Sequence, residues 1–237
     1  MPASAASVRD LDRHWLALNL PFLQNGSRGP LEGPAWSVVE GARPVTLTAV
    51  HGVVHARPGA ERKRTEANTG GLVLALAQRS ACWAGVVRRS SSDDDANWSD
   101  EHPLKRALVD RGAVGSGRVL VDVHGMTDAY GVDIALGPGS RTDGSLELAE
   151  LAAKCFESAR FEVDVDGTRT GLDGAREGTV TRWAQSLGCN AIQVEIARRD
   201  RSFLGDAARR IRLLEAFVAL LALLPGTPQN FPVRPNR

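Results

Sequence analysis

Short apolar runs separated by stretches of helical periodicity restrict this chain to an α/β architecture. Val45 to Val50 and Arg118 to Val123 are apolar and rich in β-branched residues, which makes them buried strands. Asn190 to Ile196 is a third strand of this kind, and Ala84–Val87, Gly131–Leu136 and Phe161–Val165 are shorter ones. Between them lie helical patterns over 66–80, 145–159, 177–187 and 203–224, and His102-Pro103 opens another through Val109, since proline suits a first helical turn. Strands alternating with helices predict a three-layer α/β/α sandwich. The link from Val123 to Ile134 has no room for a helix, so the central sheet is expected to be mixed.

A chain of 237 residues with 43% hydrophobic content builds one core, so 1–237 reads as a single domain. Residues 1–44 read as a peripheral segment with a short amphipathic helix, and the proline-bearing tail 225–237 as irregular. Lys+Arg number 29 against 28 Asp+Glu, a balance that gives no footprint for nucleic acid or an anionic membrane. The apolar stretch Ile211–Leu224 is too short to span a bilayer. Cys82, Cys155 and Cys189 are scattered and odd in number, which fits a reducing cytoplasm. Met1–Ser7 lacks the basic and apolar regions of a secretion signal, and a cytoplasmic location is expected.

Two of the strands end alike, in Val50-His51-Gly52 and Val123-His124-Gly125, and a third carries Glu195. In α/β proteins ligands collect beyond the carboxyl ends of parallel strands. Two imidazoles and a carboxylate at that edge suggest a metal site with a general base. Catalytic zinc takes three protein ligands and keeps one position open. Glu66 and His55 compete for the third place. His51 and His55 have an H-x-x-x-H spacing, but Pro58 follows too closely for a helix, which favours Glu66. Asp122 lies two residues before His124, on the same side of a strand, and is placed to orient an imidazole or to stand as an ordinary strand-end carboxylate. Glu195, partly desolvated, is the candidate base, against a buried ion pair with Arg198 or Arg199. Arg57, Lys63 and Arg182 are candidate contacts for a substrate carboxylate or an oxyanion, against a solvated surface role. Asp93, Asp94 and Asp95 read as a solvated loop and Cys189 as a packed thiol; Gly137-Pro138-Gly139 lacks a nucleotide-binding signature.

From Val45 to Arg201 the chain resembles the N-formylglutamate amidohydrolase family. The resemblance rests on Ala49-Val50-His51-Gly52, Thr65-Glu66, Val121-Asp122-Val123-His124-Gly125, Gly178-Thr179-Val180-Thr181-Arg182 and Ile192-Gln193-Val194-Glu195-Ile196, in that order. It implies a zinc-exopeptidase-like (phosphorylase/hydrolase-like) fold and hydrolysis of an amide in an acylated amino acid or small peptide. It also implies Zn2+ on His51, Glu66 and His124, Glu195 as base, and Arg182 on the substrate carboxylate. The chain departs from the family where serine usually follows each histidine: here Gly52 and Gly125 stand.

Overall fold

The structure, a computed structural model, describes residues 5–57, 60–90 and 95–226. In chain order the elements are α1 (Ala5–Ser27), β1 (Trp36–Val39), β2 (Val45–Ala49), β3 (His55–Arg57), β4 (Ala60–Lys63), α2 (Thr69–Ser80), β5 (Trp83–Val87) and α3 (Pro103–Asp110). They continue with β6 (Val119–Met126), β7 (Ile134–Gly137), α4 (Asp143–Ser158), β8 (Val163–Asp164), α5 (Val180–Ser186), β9 (Asn190–Ala197), α6 (Arg198–Arg201) and α7 (Ala207–Leu223). The irregular tail expected from 225 lies, beyond Gly226, outside the described residues, as do Asp93 and Asp94.

Seven strands form one sheet in the order β1-β5-β2-β6-β9-β7-β8, and β3 and β4 make a separate antiparallel hairpin. The four central strands run parallel, while β1 and β7 join antiparallel, so the sheet is mixed as expected. The reversed neighbours differ from those the short 123–134 link suggested. β9 inserts between β6 and β7, and β7 pairs antiparallel with β9. Helices α2, α4 and α7 pack on one face, with α1 laid across α2 and α7, and α3 and α5 cover the other.

Central β2 is buried at all five positions because it has strands on both edges and helices on both faces. Its two threonines are tolerated there because both hydroxyls donate, Thr46 to the Ala113 carbonyl and Thr48 to Asp122 Oδ1 at 2.7 Å. The core centres on α7, where Leu213, Leu214, Phe217, Leu220 and Leu221 are buried and Phe217 meets Phe156 edge-on at 5.1 Å. The Cys82, Cys155 and Cys189 thiols are free and buried.

The segment before Val45, expected at the periphery, supplies two working elements. β1 edges the main sheet, and α1 buries Trp15, Asn19 and Phe22 against α2. Close approach is possible because α2 opens with Gly70 and Gly71. A Cβ at Gly70 would meet the Phe22 ring at 2.4 Å, and one at Gly71 would meet Asn19 at 2.6 Å. Buried Arg43 donates to the Leu221 and Leu224 carbonyls at 2.7 and 2.8 Å, satisfying acceptors at the end of α7.

Candidate metal centre

The site is assembled where the carboxyl-terminal parts of β2, β6 and β9 come side by side. β6 pairs with β9 through Met126, so His124 and its neighbour Glu195 lie within strands rather than just beyond them. His51 follows β2 by two residues. The hairpin β3–β4 leaves and returns between His51 and Glu66, and the return is stitched: Glu66 N donates to the His51 carbonyl at 2.8 Å and Thr65 Oγ1 to that of Gly52 at 3.0 Å.

Among the described residues, His51, Glu66 and His124 form a buried group whose ligand atoms all lie within 4.8 Å of one another. His55, the rival third ligand, is outside it; its ring stacks edge-on against His51 at 5.3 Å. His51 Nδ1 faces Glu66 Oε1 at 3.0 Å, and His124 Nδ1 faces Glu66 Oε2 at 2.9 Å. The other nitrogen of each ring is taken by a carboxylate: His51 Nε2 by Asp95 Oδ1 at 2.8 Å, His124 Nε2 by Asp122 Oδ2 at 2.9 Å. Those carboxylates accept only, so each ring carries hydrogen on Nε2. In the neutral ring the Nδ1 lone pair then points at a carboxylate oxygen. Such acceptor-against-acceptor contacts persist only with a cation between them, a proton or a metal ion. Two imidazole nitrogens and a carboxylate, each imidazole braced by a second carboxylate, is a donor set that suits catalytic zinc.

Ionisation follows the same logic. Burial disfavours charge on His51 and His124, yet carboxylates outweigh it: Glu66 and Asp95 raise His51, and Asp122 and Glu66 raise His124 well above 6.5. Burial also opposes charge on Glu66, but His51 and His124 hold it well below the usual carboxylate range. Glu195 goes the other way. Burial, then the Glu66 carboxylate, push it up to about 7. Gln193 Nε2 donates to its Oε1 at 3.0 Å, which leaves Oε2 for a proton. The alternative ion pair with Arg199 does not form, since that guanidinium goes to Asp133 at 2.6 Å.

The three candidate substrate contacts separate. Lys63 Nζ lies 2.7 Å from Glu66 Oε1. Arg57 Nε donates to Asp95 Oδ2 at 2.7 Å, next to the centre. Arg182 bonds Ser140 Oγ, and Ser140 N donates to Gln185, which in turn reaches the Ala191 carbonyl. Ala191 is near the start of β9, four residues before Glu195 and roughly 13 Å from it along a strand. Among the described residues Arg182 thus meets Ser140 and none of the metal-centre side chains.

Asp95 escaped the sequence reading because it is the last of three adjacent aspartates. Its signal was Asp95-Ala96-Asn97: Asn97 N donates to Asp95 Oδ1 at 2.9 Å, an Asx turn that folds the carboxylate inward to a fully buried position. Arg201 was missed too. Its buried guanidinium donates to the carbonyls of Ala67 and Ile196, next to Glu66 and Glu195, and of Met126, two residues after His124. Gly125 makes room for it, because a Cβ there would sit 2.4 Å from Arg201 Cζ.

The fold is one that several solved structures share. The solved structures it is similar to include an N-formylglutamate amidohydrolase from Ralstonia eutropha JMP134, with a TM-score of 0.56 and 13% identity over 79% of this chain and 96% of that one. They also include a bacteriophage poly-gamma-glutamate hydrolase, with a TM-score of 0.51 and 17% identity over 81% of this chain and 89% of that one. A gene product of Agrobacterium tumefaciens, Atu2144, gives a TM-score of 0.50 and 17% identity over 80% and 96%. The expected resemblance is thus present at the level of the fold. No family model matches the sequence. No curated protein matches it either. No described helix is long and apolar enough to cross a membrane.

Proposed function

We propose that the protein is a zinc-dependent amidohydrolase that cleaves the amide of an acylated amino acid or small peptide. The observation that carries this reading is the pair of imidazoles, each held by a carboxylate at Nε2 and each presenting Nδ1 to one oxygen of Glu66. The fold likeness to the amidohydrolase and the poly-gamma-glutamate hydrolase supports the same reaction class.

His51, Glu66 and His124 would hold the ion. When bound, zinc supplies a Lewis acid and makes water a nucleophile at neutral pH. Asp95 and Asp122 fix the imidazole tautomers and aim. Glu195 takes the proton of the attacking water at Oε2 and delivers it to the leaving nitrogen, a role suited to a carboxyl with a pKa of about 7. Lys63, whose ammonium stays charged because Glu66 outweighs its burial, stands beside the reacting carbonyl and stabilises negative charge developing on its oxygen.

Glu195→Gln tests the assignment. Turnover of a panel of N-formyl, N-acetyl and dipeptide substrates should fall by about 100-fold or more while stoichiometric zinc is retained. Ordinary activity in that variant, or a purified protein that neither takes up zinc nor responds to a chelator, refutes it.

A further inference from the structure

We propose that Arg201 is a positioning residue of the metal centre: one buried guanidinium that holds the segments carrying Glu66, His124 and Glu195 at a fixed spacing. The inference rests on the zinc amidohydrolase reading and assigns the residue that keeps its ligands and its base in register. Arg201 is 5% exposed and closes α6, the single helical turn that follows β9. That turn brings the side chain back to the end of its own strand, where Nε donates to the Ile196 carbonyl at 3.2 Å. Nη2 donates to the Met126 carbonyl at 3.3 Å, and Nη1 to that of Ala67.

The acceptors belong to three separate segments. Ile196 and Met126 stand at the ends of the paired strands β9 and β6, and Ala67 lies in the turn before α2. The ladder between β6 and β9 sets His124 and Glu195 side by side. Glu66 sits in a connection outside both sheets, so no ladder fixes its distance from them. Its backbone is stitched to His51 on the β2 side. On the β6 and β9 side the tie is Arg201, and it is made twice. Nη1 holds the Ala67 carbonyl, and the Arg201 carbonyl accepts from Asn68 Nδ2 at 2.7 Å.

Space and charge agree with this role. Gly125 leaves the room that the guanidinium fills, since a Cβ there would meet Cζ at 2.4 Å and both Nε and Nη2 at 2.5 Å. Burial lowers the Arg201 pKa, and Glu66 and then Glu195 act against that, so the guanidinium stands within electrostatic reach of both acids. A planar fork with five N–H donors serves three carbonyls at once. A lysine ammonium, one nitrogen on a flexible stem, does not fix three segments spread around it. Misplacing a reacting group by about 1 Å can cost roughly 100-fold in rate. Glu66, which meets His51 and His124 at 3.0 and 2.9 Å, leaves no slack for such a shift.

The test compares Arg201→Gln and Arg201→Lys with Arg43→Gln. Arg43 is also a buried guanidinium on backbone carbonyls, but it lies at the other end of β2 from His51. Each protein is loaded with Co2+ in place of Zn2+. The visible d–d bands, which report the geometry of the ligands, are recorded well below the melting temperature, together with zinc affinity against a chelator and the kinetics. Arg201→Gln should shift the cobalt bands, weaken zinc by about tenfold or more, and lower kcat by about 10- to 100-fold with KM within about twofold. Arg201→Lys should fall between it and the parent. Arg43→Gln should lower the melting temperature and leave bands, zinc affinity and kcat as in the parent. Parent-like bands and zinc affinity in Arg201→Gln overturn the proposal, and so do equal changes in Arg43→Gln, which would mark a general loss of stability. Should the glutamine variant not fold, Arg201→Lys carries the same comparison. The expected cobalt and zinc results in a protein whose parent hydrolyses no amide overturn the proposed reaction alone, and a parent that takes up neither metal overturns both.

Discussion

Replacing Asp95 by asparagine isolates what a buried carboxylate does for a neighbouring imidazole. Asp95 Oδ1 accepts from His51 Nε2 at 2.8 Å and Asn97 N at 2.9 Å, and Oδ2 accepts from Arg57 Nε at 2.7 Å. Three donors converge on a side chain with no exposed surface. Asparagine fits the volume but offers only one accepting atom. With its oxygen kept toward His51 and Asn97, its amino group faces the Arg57 donor; flipped, it faces two donors. Charge is lost in either case, and at least one hydrogen bond with it. A hydrogen bond to a charged group contributes about 1.5–3 kcal/mol, so the ring loses aim and basicity to the extent of roughly 10- to 100-fold in affinity for zinc. A chelator competition titration measures this directly, and melting of the metal-free protein separates any loss of folding stability. Asp122→Asn, acting on the other ring, should give a loss of the same order. Zinc affinity within about twofold of the parent for Asp95→Asn would show that the tautomer argument is wrong.

Proton competition gives a second expectation. In the metal-free chain the folded pKa values of His51 and His124 are raised, so their contribution to stability is fully present below the unfolded value of 6.5 and is lost as pH climbs through the folded values. Zinc needs the same nitrogens unprotonated, so the gap in melting temperature between zinc-loaded and chelated protein should widen as pH rises from about 6 to 9; a constant gap counts against this ligand set. Arg182→Ala should leave turnover within about threefold of the parent, measured as kcat/KM on the best substrate, because its guanidinium is held by Ser140 and touches no metal-centre side chain among the described residues. Gly125→Ser should lower unfolding free energy by about 1–3 kcal/mol in a denaturant titration, since its Cβ must displace the Arg201 guanidinium.

The parts legible in the sequence were those written in local pattern. Buried strands announce themselves by composition, and β2, β6 and β9 were found with their His51, His124 and Glu195. Asp122 was placed beside His124 because a strand repeats every two residues. What stayed hidden depended on long-range pairing. β1 is a partly buried four-residue strand with no periodicity of its own, and it exists because β5 offers an edge. Nothing local says that β9 inserts between β6 and β7, yet that insertion sets Glu195 opposite His124. Arg182 stood in a motif that reads well along the chain, but the fold turns its guanidinium to Ser140. Asp95 became visible only when its loop turned inward at Asn97.

The contact between Gly125 and Arg201 makes the two positions a single heritable choice. The guanidinium fills the space a side chain at 125 would occupy and ties down the carbonyls of Ala67, Met126 and Ile196. A descendant that gains serine at 125 must first give up arginine at 201, and one that keeps the arginine is confined to glycine. The order of such steps along a lineage is therefore constrained, and either substitution alone passes through a weakened protein. Chains of this fold should accordingly sort into two groups, glycine with arginine or a larger residue without it, with the mixed combination rare.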